Sequence, residues 1–294
     1  MKTLVFILFS ISVWATEDAK PQETVTHTET CVDLLKNMKG PVNSEKLKKV
    51  CLQTQILPGC QSVKGTPIVH YERPGYDKAK KRILVFSLIH GDEEGAGTLV
   101  RYWMERLNEI NPRNHWRIVP VLNPDGHHAK TRVNANAVDL NRNFPTKDWT
   151  DDAQKFWRIR TASNPRRFPG STAGGEPETQ CALKHIEDFK PEFVVSIHTP
   201  LGVLDFDGPR VNPPSYGYLP WRSLGHFPGS MGRYLWAERN VPVLTTELRS
   251  TLPSNFSTFD RLQDVLGQLA KYELKPSQAS MPQQAASVLT GVDH

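Results

Sequence analysis

The sequence has 294 residues, of which 38% are hydrophobic and 23% are charged, and its formal net charge is +5. This length suffices for one domain with a well-buried core, and the composition is that of an ordinary globular protein rather than a disordered one. The densest run of cations, residues 78–82, directly precedes an apolar segment and is accompanied by no nucleic-acid-binding motif. We therefore expect no nucleic acid among the partners.

Residues 1–15 have the pattern of a signal peptide. Lys2 precedes an apolar stretch over residues 4–14, and Ala15 then provides a small residue for cleavage. The stretch is too short to span a bilayer, so we expect no stable membrane anchor. The alternative is a buried N-terminal strand or helix. The first interpretation predicts an exported protein, periplasmic or secreted once the signal peptide is removed.

Residues 16–65 are interpreted as an N-terminal extension, with a polar, disordered lead-in over 16–30 and helical patterns over 31–38 and 46–52. Whether this extension is a pro-segment that inhibits the protein or is removed stays open. An even number of cysteines behind an export signal predicts disulfides, and the three possible pairings also stay open. The cysteines are Cys31, Cys51, Cys60 and Cys181.

Residues 66–274 have the pattern of the main domain, and residues 275–294 have that of a flexible polar tail. Apolar runs alternate with amphipathic helical patterns along the main domain. Such alternation predicts an α/β fold with a mixed, largely parallel central sheet flanked by helices. The predicted strands cover residues 83–89, 116–122, 193–197 and 241–246, and the predicted helices cover 95–107, 178–189, 230–239 and 258–272.

Histidines and carboxylates follow three of these strands. His90 and Glu93 come after the first, His198 after the third and Glu247 after the fourth. Because ligands bind outside the carboxyl ends of strands in open α/β sheets, we expect these side chains to meet at one edge. Two imidazoles and a carboxylate make a catalytic zinc set, and a second carboxylate can act as the general base. Each residue taken alone has a structural alternative, such as a histidine that only makes hydrogen bonds.

Further motifs lie between these residues. Asn-Pro-Asp-Gly occupies residues 123–126, Arg132 follows, and Asp-Leu-Asn-Arg-Asn occupies residues 139–143. Together with His-x-x-Glu before them and His198 and Glu247 after them, they make the sequence resemble the zinc metallocarboxypeptidase family, that of carboxypeptidase A. The ordered combination is far more specific than any single motif.

The resemblance implies a role for each matching residue. Asn141 and Arg142 match the pair that grips the terminal carboxylate of a peptide substrate, a task that suits the planar fork of arginine. Arg132 matches the arginine that stabilises the developing oxyanion, and Glu247 matches the base. The resemblance further implies one Zn²⁺ per chain and a peptide partner with a free carboxylate. We also expect a monomer, although the sequence does not determine the oligomeric state. The implied zinc ligands are His90, Glu93 and His198.

One family feature is missing from the sequence. Digestive members carry a mobile tyrosine upstream of the base, but residues 222–230 contain no tyrosine. Tyr216, Tyr218 and His226 are the nearby candidates to replace it, and each also has a structural interpretation. This departure argues against transferring the substrate preference of the digestive enzymes.

Three segments, residues 140–145, 175–179 and 198–201, are similar to the bacterial murein peptide amidase branch of the family. That resemblance implies cleavage between γ-D-glutamate and meso-diaminopimelate in the peptides of the cell wall. We therefore expect an exported hydrolase of peptidoglycan peptides. The alternatives are an exported carboxypeptidase of ordinary peptides or proteins, a catalytically inactive module that binds the wall or peptides, and an amidohydrolase of the desuccinylase type.

Two acidic residues after His198 suggest a specificity pocket. Asp205 and Asp207 lie in the segment Asp-Phe-Asp-Gly, and we hypothesise that they bind the side-chain ammonium of meso-diaminopimelate. The alternative is a turn in which both aspartates cap backbone amides.

Overall fold

A seven-stranded β-sheet runs through the computed structural model, which describes residues 26–78 and 80–270. The predicted signal peptide and the predicted tail lie outside the described residues. Within them, no helix is both long and apolar enough to cross a membrane. The strands are β1 (Thr54–Gln61), β2 (Pro67–Arg73), β3 (Arg82–Ser87), β4 (His115–Val119), β5 (Phe193–His198), β6 (Leu201–Asp207) and β7 (Val243–Arg249).

The helices precede, connect and follow these strands. Two short 3-10 turns, Leu140–Arg142 and Pro165–Arg167, and two π-helical turns, Trp149–Ala153 and Arg233–Ala237, complete the secondary structure. The second π-helical turn lies inside the predicted helix 230–239. The α-helices are α1 (His27–Lys36), α2 (Ser44–Cys51), α3 (Glu94–Glu109), α4 (Pro124–Ala129), α5 (Gln154–Arg160), α6 (Pro177–Phe189) and α7 (Ser257–Leu269).

The strand order is β1-β2-β4-β3-β5-β7-β6. The central strands β4, β3, β5 and β7 pair in parallel. On one side of them β2 pairs antiparallel with β4 and β1 pairs antiparallel with β2, and on the other side β6 pairs antiparallel with β7. The predicted mixed α/β sheet is confirmed. The sequence patterns identified only the four central strands, because those are buried on both faces and appear as continuous apolar runs. Strand β1 escaped detection because Pro58 and Gly59 interrupt it, which an edge strand with an irregular register tolerates.

Alternate residues of the central strands face two separate apolar cores. On β3, Ile83 and Val85 pack in the core that contains α3 and α7, whereas Leu84 and Phe86 pack in the core that contains α6. Because side chains alternate across a strand, one sheet can bury both faces under helices. Both faces of the sheet are therefore covered by helices, and functional side chains can lie at the carboxyl ends of its strands.

The described part of the N-terminal extension, residues 26–65, packs into the same unit. The prediction of a disordered lead-in was wrong for residues 27–30, which form the start of α1 because Thr26 and Glu29 cap the helix. The disulfide between Cys31 and Cys51 links α1 to α2, and both cysteines lie in the core beside α3. A second disulfide joins Cys60 on β1 to Cys181 on α6, across 121 residues of sequence. The structure thus selects one of the three pairings that the sequence left open.

Candidate active site

The ends of β3, β5 and β7 bring the predicted site residues together. Parallel pairing places His198, the last residue of β5, directly opposite Glu247 on β7. His90 and Glu93 lie on the turn between β3 and α3, where β3 pairs with β5. The register of a parallel sheet therefore converts residues far apart in sequence into one cluster at its carboxyl edge.

The three predicted zinc ligands converge through buried atoms. His90 Nδ1 lies 2.8 Å from Glu93 Oε1, and His198 Nδ1 lies 2.9 Å from Glu93 Oε2. The two Nδ1 atoms are 3.2 Å apart, and the three ligand atoms lie within 4.8 Å of one another. Two imidazole nitrogens and a carboxylate aimed at one point are the donor set that Zn²⁺ takes in catalytic sites, so the residues fit the metal.

Neighbouring side chains fix the orientation of both imidazoles. His90 Nε2 lies 3.1 Å from Asp139 Oδ1, and His198 Nε2 lies 2.9 Å from Ser196 Oγ. Both nitrogens of His90 face carboxylates, Nδ1 that of Glu93 and Nε2 that of Asp139, and a carboxylate only accepts. With a metal at Nδ1, the ring proton would sit on Nε2 and be donated to Asp139. Neither orienting residue was among the predicted site residues. Asp139 could have been identified in the sequence as the Asp of the Asp-x-Asn-Arg motif. Ser196 could have been identified by its position two residues before His198, which places both side chains on the same face of the strand.

Arg132 is held against the same carboxylate. Its Nε and Nη2 donate to Asp139 Oδ2 at 3.1 and 3.0 Å, and its Nη1 lies 3.7 Å from Glu93 Oε1. Burial alone would raise the pKa of Asp139, but Arg132 and His90 hold it well below its ordinary value. The guanidinium is thereby fixed beside the ligand cluster, where it can stabilise negative charge.

Arg142 is a buried cation whose Nε has no hydrogen-bond partner among residues 26–78 and 80–270. Its Nη1 donates to the carbonyl oxygen of Asn141 at 2.7 Å, and its guanidinium lies 4.5 Å from the centre of the Phe227 ring. Burial lowers the pKa of Arg142 to about 10, which leaves it protonated at neutral pH. Asn141 is fixed by its side-chain oxygen, which accepts from the Met231 amide at 2.9 Å. A buried cation with an unused donor is suited to bind an anion.

Glu247 lies next to the ligand cluster but outside it. Its side chain is half-buried, and its Oε2 is 3.5 Å from the Leu201 amide nitrogen, a long contact. Burial raises the pKa of Glu247 above its ordinary value. A carboxylate so placed, with a weak hydrogen bond and raised proton affinity, is able to exchange protons with water.

Asp205 and Asp207 lie on strand β6, antiparallel to β7, so the interpretation of this segment as a turn was wrong. Asp205 accepts from the Leu224 amide at 2.9 Å, and Asp207 Oδ1 lies 2.6 Å from His226 Nε2. His226 is followed by Phe227, the ring that covers Arg142. The Asp207–His226 pair is thus next in sequence to the ring that covers Arg142, whereas Asp205 anchors the backbone of the covering loop.

The candidates for the missing mobile tyrosine are all engaged. Tyr216 is buried and donates its hydroxyl to the Thr258 carbonyl oxygen at 2.9 Å. The Tyr218 hydroxyl lies 3.4 Å from the Thr251 carbonyl oxygen, and His226 is paired with Asp207. The buried hydroxyl of Tyr216 therefore contributes a hydrogen bond within the fold, which agrees with its structural interpretation.

Comparisons with known proteins agree with this geometry. The zinc carboxypeptidase family model matches residues 55–204. Murein peptide amidase A of Escherichia coli is 31% identical over 204 residues, which cover 64% of this chain and 78% of that protein. Murein peptide amidase A of Vibrio campbellii is 30% identical over 199 residues, which cover 64% of this chain and 77% of that protein.

Solved structures show the same fold. The crystal structure of murein-tripeptide amidase from Escherichia coli O157 has a TM-score of 0.54 at 26% identity, covering 76% of this chain and 93% of that one. Bovine thrombin-activatable fibrinolysis inhibitor, in complex with tick carboxypeptidase inhibitor, has a TM-score of 0.58 at 16% identity, covering 83% and 93%. The chain therefore belongs to the zinc carboxypeptidase family and is a metallopeptidase hydrolase, with murein peptide amidases among its relatives.

Proposed function

We propose that the protein is an exported zinc-dependent hydrolase of murein peptides that cleaves between γ-D-glutamate and meso-diaminopimelate. The structural observation that carries the proposal is the buried Arg142 guanidinium with an unused Nε donor. Its charge interacts with that of Asp139, which contacts the candidate zinc ligand His90. This arrangement suits a peptide with a free carboxylate beside the scissile bond. The similarity to murein peptide amidase A supports the choice of murein peptides among such substrates.

In this proposal, His90, Glu93 and His198 hold one Zn²⁺ per chain. When bound, zinc supplies Lewis-acid chemistry, acidifying water and polarising the substrate carbonyl. Glu247 accepts a proton from the attacking water on its carboxylate and delivers it to the departing amine. Its half-buried position beside His198 and its raised pKa favour both transfers.

The arginines divide the negative charge of the substrate between them. Arg132, fixed by Asp139, donates to the carbonyl oxygen as that oxygen gains charge during attack. Arg142 and the side chain of Asn141 bind the terminal carboxylate and so set the register of the substrate. Losing such a contact costs roughly 2–5 kcal/mol, so we expect Arg142→Ala to lower kcat/KM strongly for free-carboxylate substrates and little for amidated ones. Equal losses on both substrates would assign Arg142 a structural role.

The side chain of the departing residue is placed by Asp207 and its neighbour Asp205. The carboxylate of Asp207 lies next to the loop that covers Arg142, where it can accept from the ammonium of meso-diaminopimelate. We propose Asp207 as the main ligand of this ammonium and Asp205 as a contributor to the charge of the pocket.

An exported carboxypeptidase of ordinary peptides is the second candidate. It is favoured by the same Asp207, because a carboxylate that accepts from diaminopimelate also accepts from a C-terminal lysine. The two candidates differ in the residue that supplies the carbonyl group of the scissile bond. In the first it is a γ-linked D-glutamate, and in the second it is an ordinary α-linked residue.

Matched substrates separate these candidates. Purified murein, γ-D-glutamyl-diaminopimelate and an α-peptide ending in lysine are incubated with the protein, and released amino acids are quantified. We expect release of diaminopimelate-containing products at a far higher kcat/KM than release of lysine. Asp207→Asn should reduce cleavage before diaminopimelate more than before an uncharged residue, with Asp205→Asn as the matched neighbour variant. A preference for the α-peptide would overturn the murein assignment.

Export is part of the proposal and rests on the N-terminal sequence, with support from two disulfides, which persist in oxidising compartments. Fractionation of cells that express the full chain tests it. The protein should appear outside the cytoplasm, shortened at its N-terminus, and a full-length cytoplasmic product would contradict export.

A further inference from the structure

A second cluster of potential metal ligands lies away from the residues of the active site. The ligand atoms of Cys60, Cys181 and His185 lie within 4.8 Å of one another, and all three residues are buried. The two cysteines form a disulfide. The proposed peptidase chemistry uses none of these side chains, so the cluster requires its own explanation.

Local structure explains how these residues meet. Cys181 and His185 are four residues apart on α6, so their side chains lie on the same face of the helix, one turn apart. Cys60 comes from β1, and His70 on the adjacent strand β2 contacts His185 edge to face, with ring centres 4.9 Å apart. Two sulfur atoms and two imidazoles therefore gather between one helix and the edge of the sheet.

The imidazoles of this cluster lack the partners that buried polar groups normally have. His185 is fully buried, and neither of its ring nitrogens has a hydrogen-bond partner within the described part of the chain. The Nδ1 atom of His70 is likewise without a partner among those residues. Such groups are rare in native proteins, and an ion that binds them is one established reason for their presence. Burial also lowers the pKa of His185 to about 2 and that of His70 to about 4, which keeps both rings in the neutral form that binds metals.

We propose that Cys60, Cys181 and His185 bind one Zn²⁺ when their disulfide is reduced, with His70 available as a fourth ligand. Two cysteines and two histidines make a set typical of structural zinc sites. A dithiol supplies two electrons and two protons to the two sulfur atoms, which become thiols, and it is itself oxidised to a disulfide. As Zn²⁺ binds, the thiols release their protons to solvent, two sulfur–zinc bonds and the nitrogen–zinc bond of His185 form, and a nitrogen of His70 completes the set.

The consequence is that β1 and α6 stay joined in either redox state. The disulfide joins them under oxidising conditions, and the metal joins them under reducing ones. The first turn of α6 also carries Glu178, which accepts from the Val63 amide at 3.0 Å and from the Asn134 side chain at 2.9 Å. The disulfide or the metal thus holds α6 in place. Through Glu178 and Asn134, this helix supports the loop that leads to Asp139, the residue that orients His90.

The test uses the full chain with Cys31→Ser and Cys51→Ser, which leaves the two cysteines of the cluster. The protein is reduced with a phosphine, stripped of metal and titrated with Co²⁺, and the thiolate-to-cobalt charge-transfer band is recorded. The zinc ligand set of the active site contains no thiol, so this band reports on the cluster whatever reaction the enzyme catalyses. We expect the band to appear, and His185→Ala to weaken the cobalt affinity at least about tenfold. No band, or an unchanged affinity in His185→Ala, would overturn the proposal.

A second measurement needs no substitution. Reduced wild-type protein is alkylated with and without Zn²⁺, and the modified peptides are identified by mass spectrometry. Zinc should protect Cys60 and Cys181 from alkylation while Cys31 and Cys51 react at the same rate in both samples. Equal alkylation of Cys60 and Cys181 with and without zinc would also overturn the proposal.

Discussion

Arg101 is the residue through which α3 holds the N-terminal extension. The side chain is buried, its Nη1 donates to the carbonyl oxygens of Leu35 and Met38 at 3.0 Å, and its Nη2 donates to those of Lys39 and Pro41 at 3.0 and 3.1 Å. The substitution Arg101→Met keeps an apolar stem of similar length and removes all four donated bonds. It therefore tests whether the extension is an integral part of the fold.

The expected loss follows from the hydrogen bonds. A bond to a charged group contributes roughly 1.5–3 kcal/mol, so four such bonds set an upper range of about 6–12 kcal/mol. Much of this loss is offset, because the variant has no guanidinium to desolvate and because water hydrates some of the freed carbonyl groups. We expect a net destabilisation of about 3–5 kcal/mol, the range found when one partner of a buried charged contact is removed. For a domain of this size, that corresponds to a Tm lower by roughly 6–20 °C.

Urea denaturation of wild-type protein and Arg101→Met, followed by circular dichroism, measures this loss. Arg101→Lys is the matched control, because it keeps the charge but reaches fewer carbonyls, and its stability should lie between the other two. A loss below about 1 kcal/mol would contradict this anchoring role of Arg101 and would agree instead with a removable pro-segment.

Three further outcomes are expected. His90→Ala and His198→Ala should each lose the stoichiometric zinc of the wild-type protein in metal analysis, and retention of zinc by both would remove the assigned ligand set. Glu247→Gln should keep the fold and zinc while kcat falls roughly 10²–10⁴-fold, so a near-normal kcat would exclude Glu247 as the base. Burial, and then the nearby Asp207, raise the pKa of Asp205 to about 6 in the folded protein. The folded state binds this proton more tightly than the unfolded state does. Protonation of Asp205 therefore stabilises the protein below about pH 4, and this stabilisation is lost as the pH rises to about 6. Asp205→Asn should remove that dependence in urea titrations across this range, and identical pH profiles would show that Asp205 does not titrate as stated.

Those features of the protein that depend on local sequence pattern were predicted correctly. Continuous apolar runs identified the four central strands, and the ordered motifs between His90 and Glu247 indicated the family and the candidate ligands. These signals are local because a strand buried on both faces must be apolar throughout, and a residue just after such a strand necessarily lies at the carboxyl edge.

The pairing of segments that are distant in sequence could not be predicted and became visible in the folded protein. Strands β1 and β6 lie at the two edges of the sheet, where short polar or interrupted sequences suffice, so their periodicity gave no signal. The disulfide pairing, the contact of Asp139 with His90 and the anchoring of the extension by Arg101 each join segments tens of residues apart. Such contacts are selected by packing and by the need to satisfy buried polar groups, which depend on the whole fold rather than on neighbouring residues in the chain.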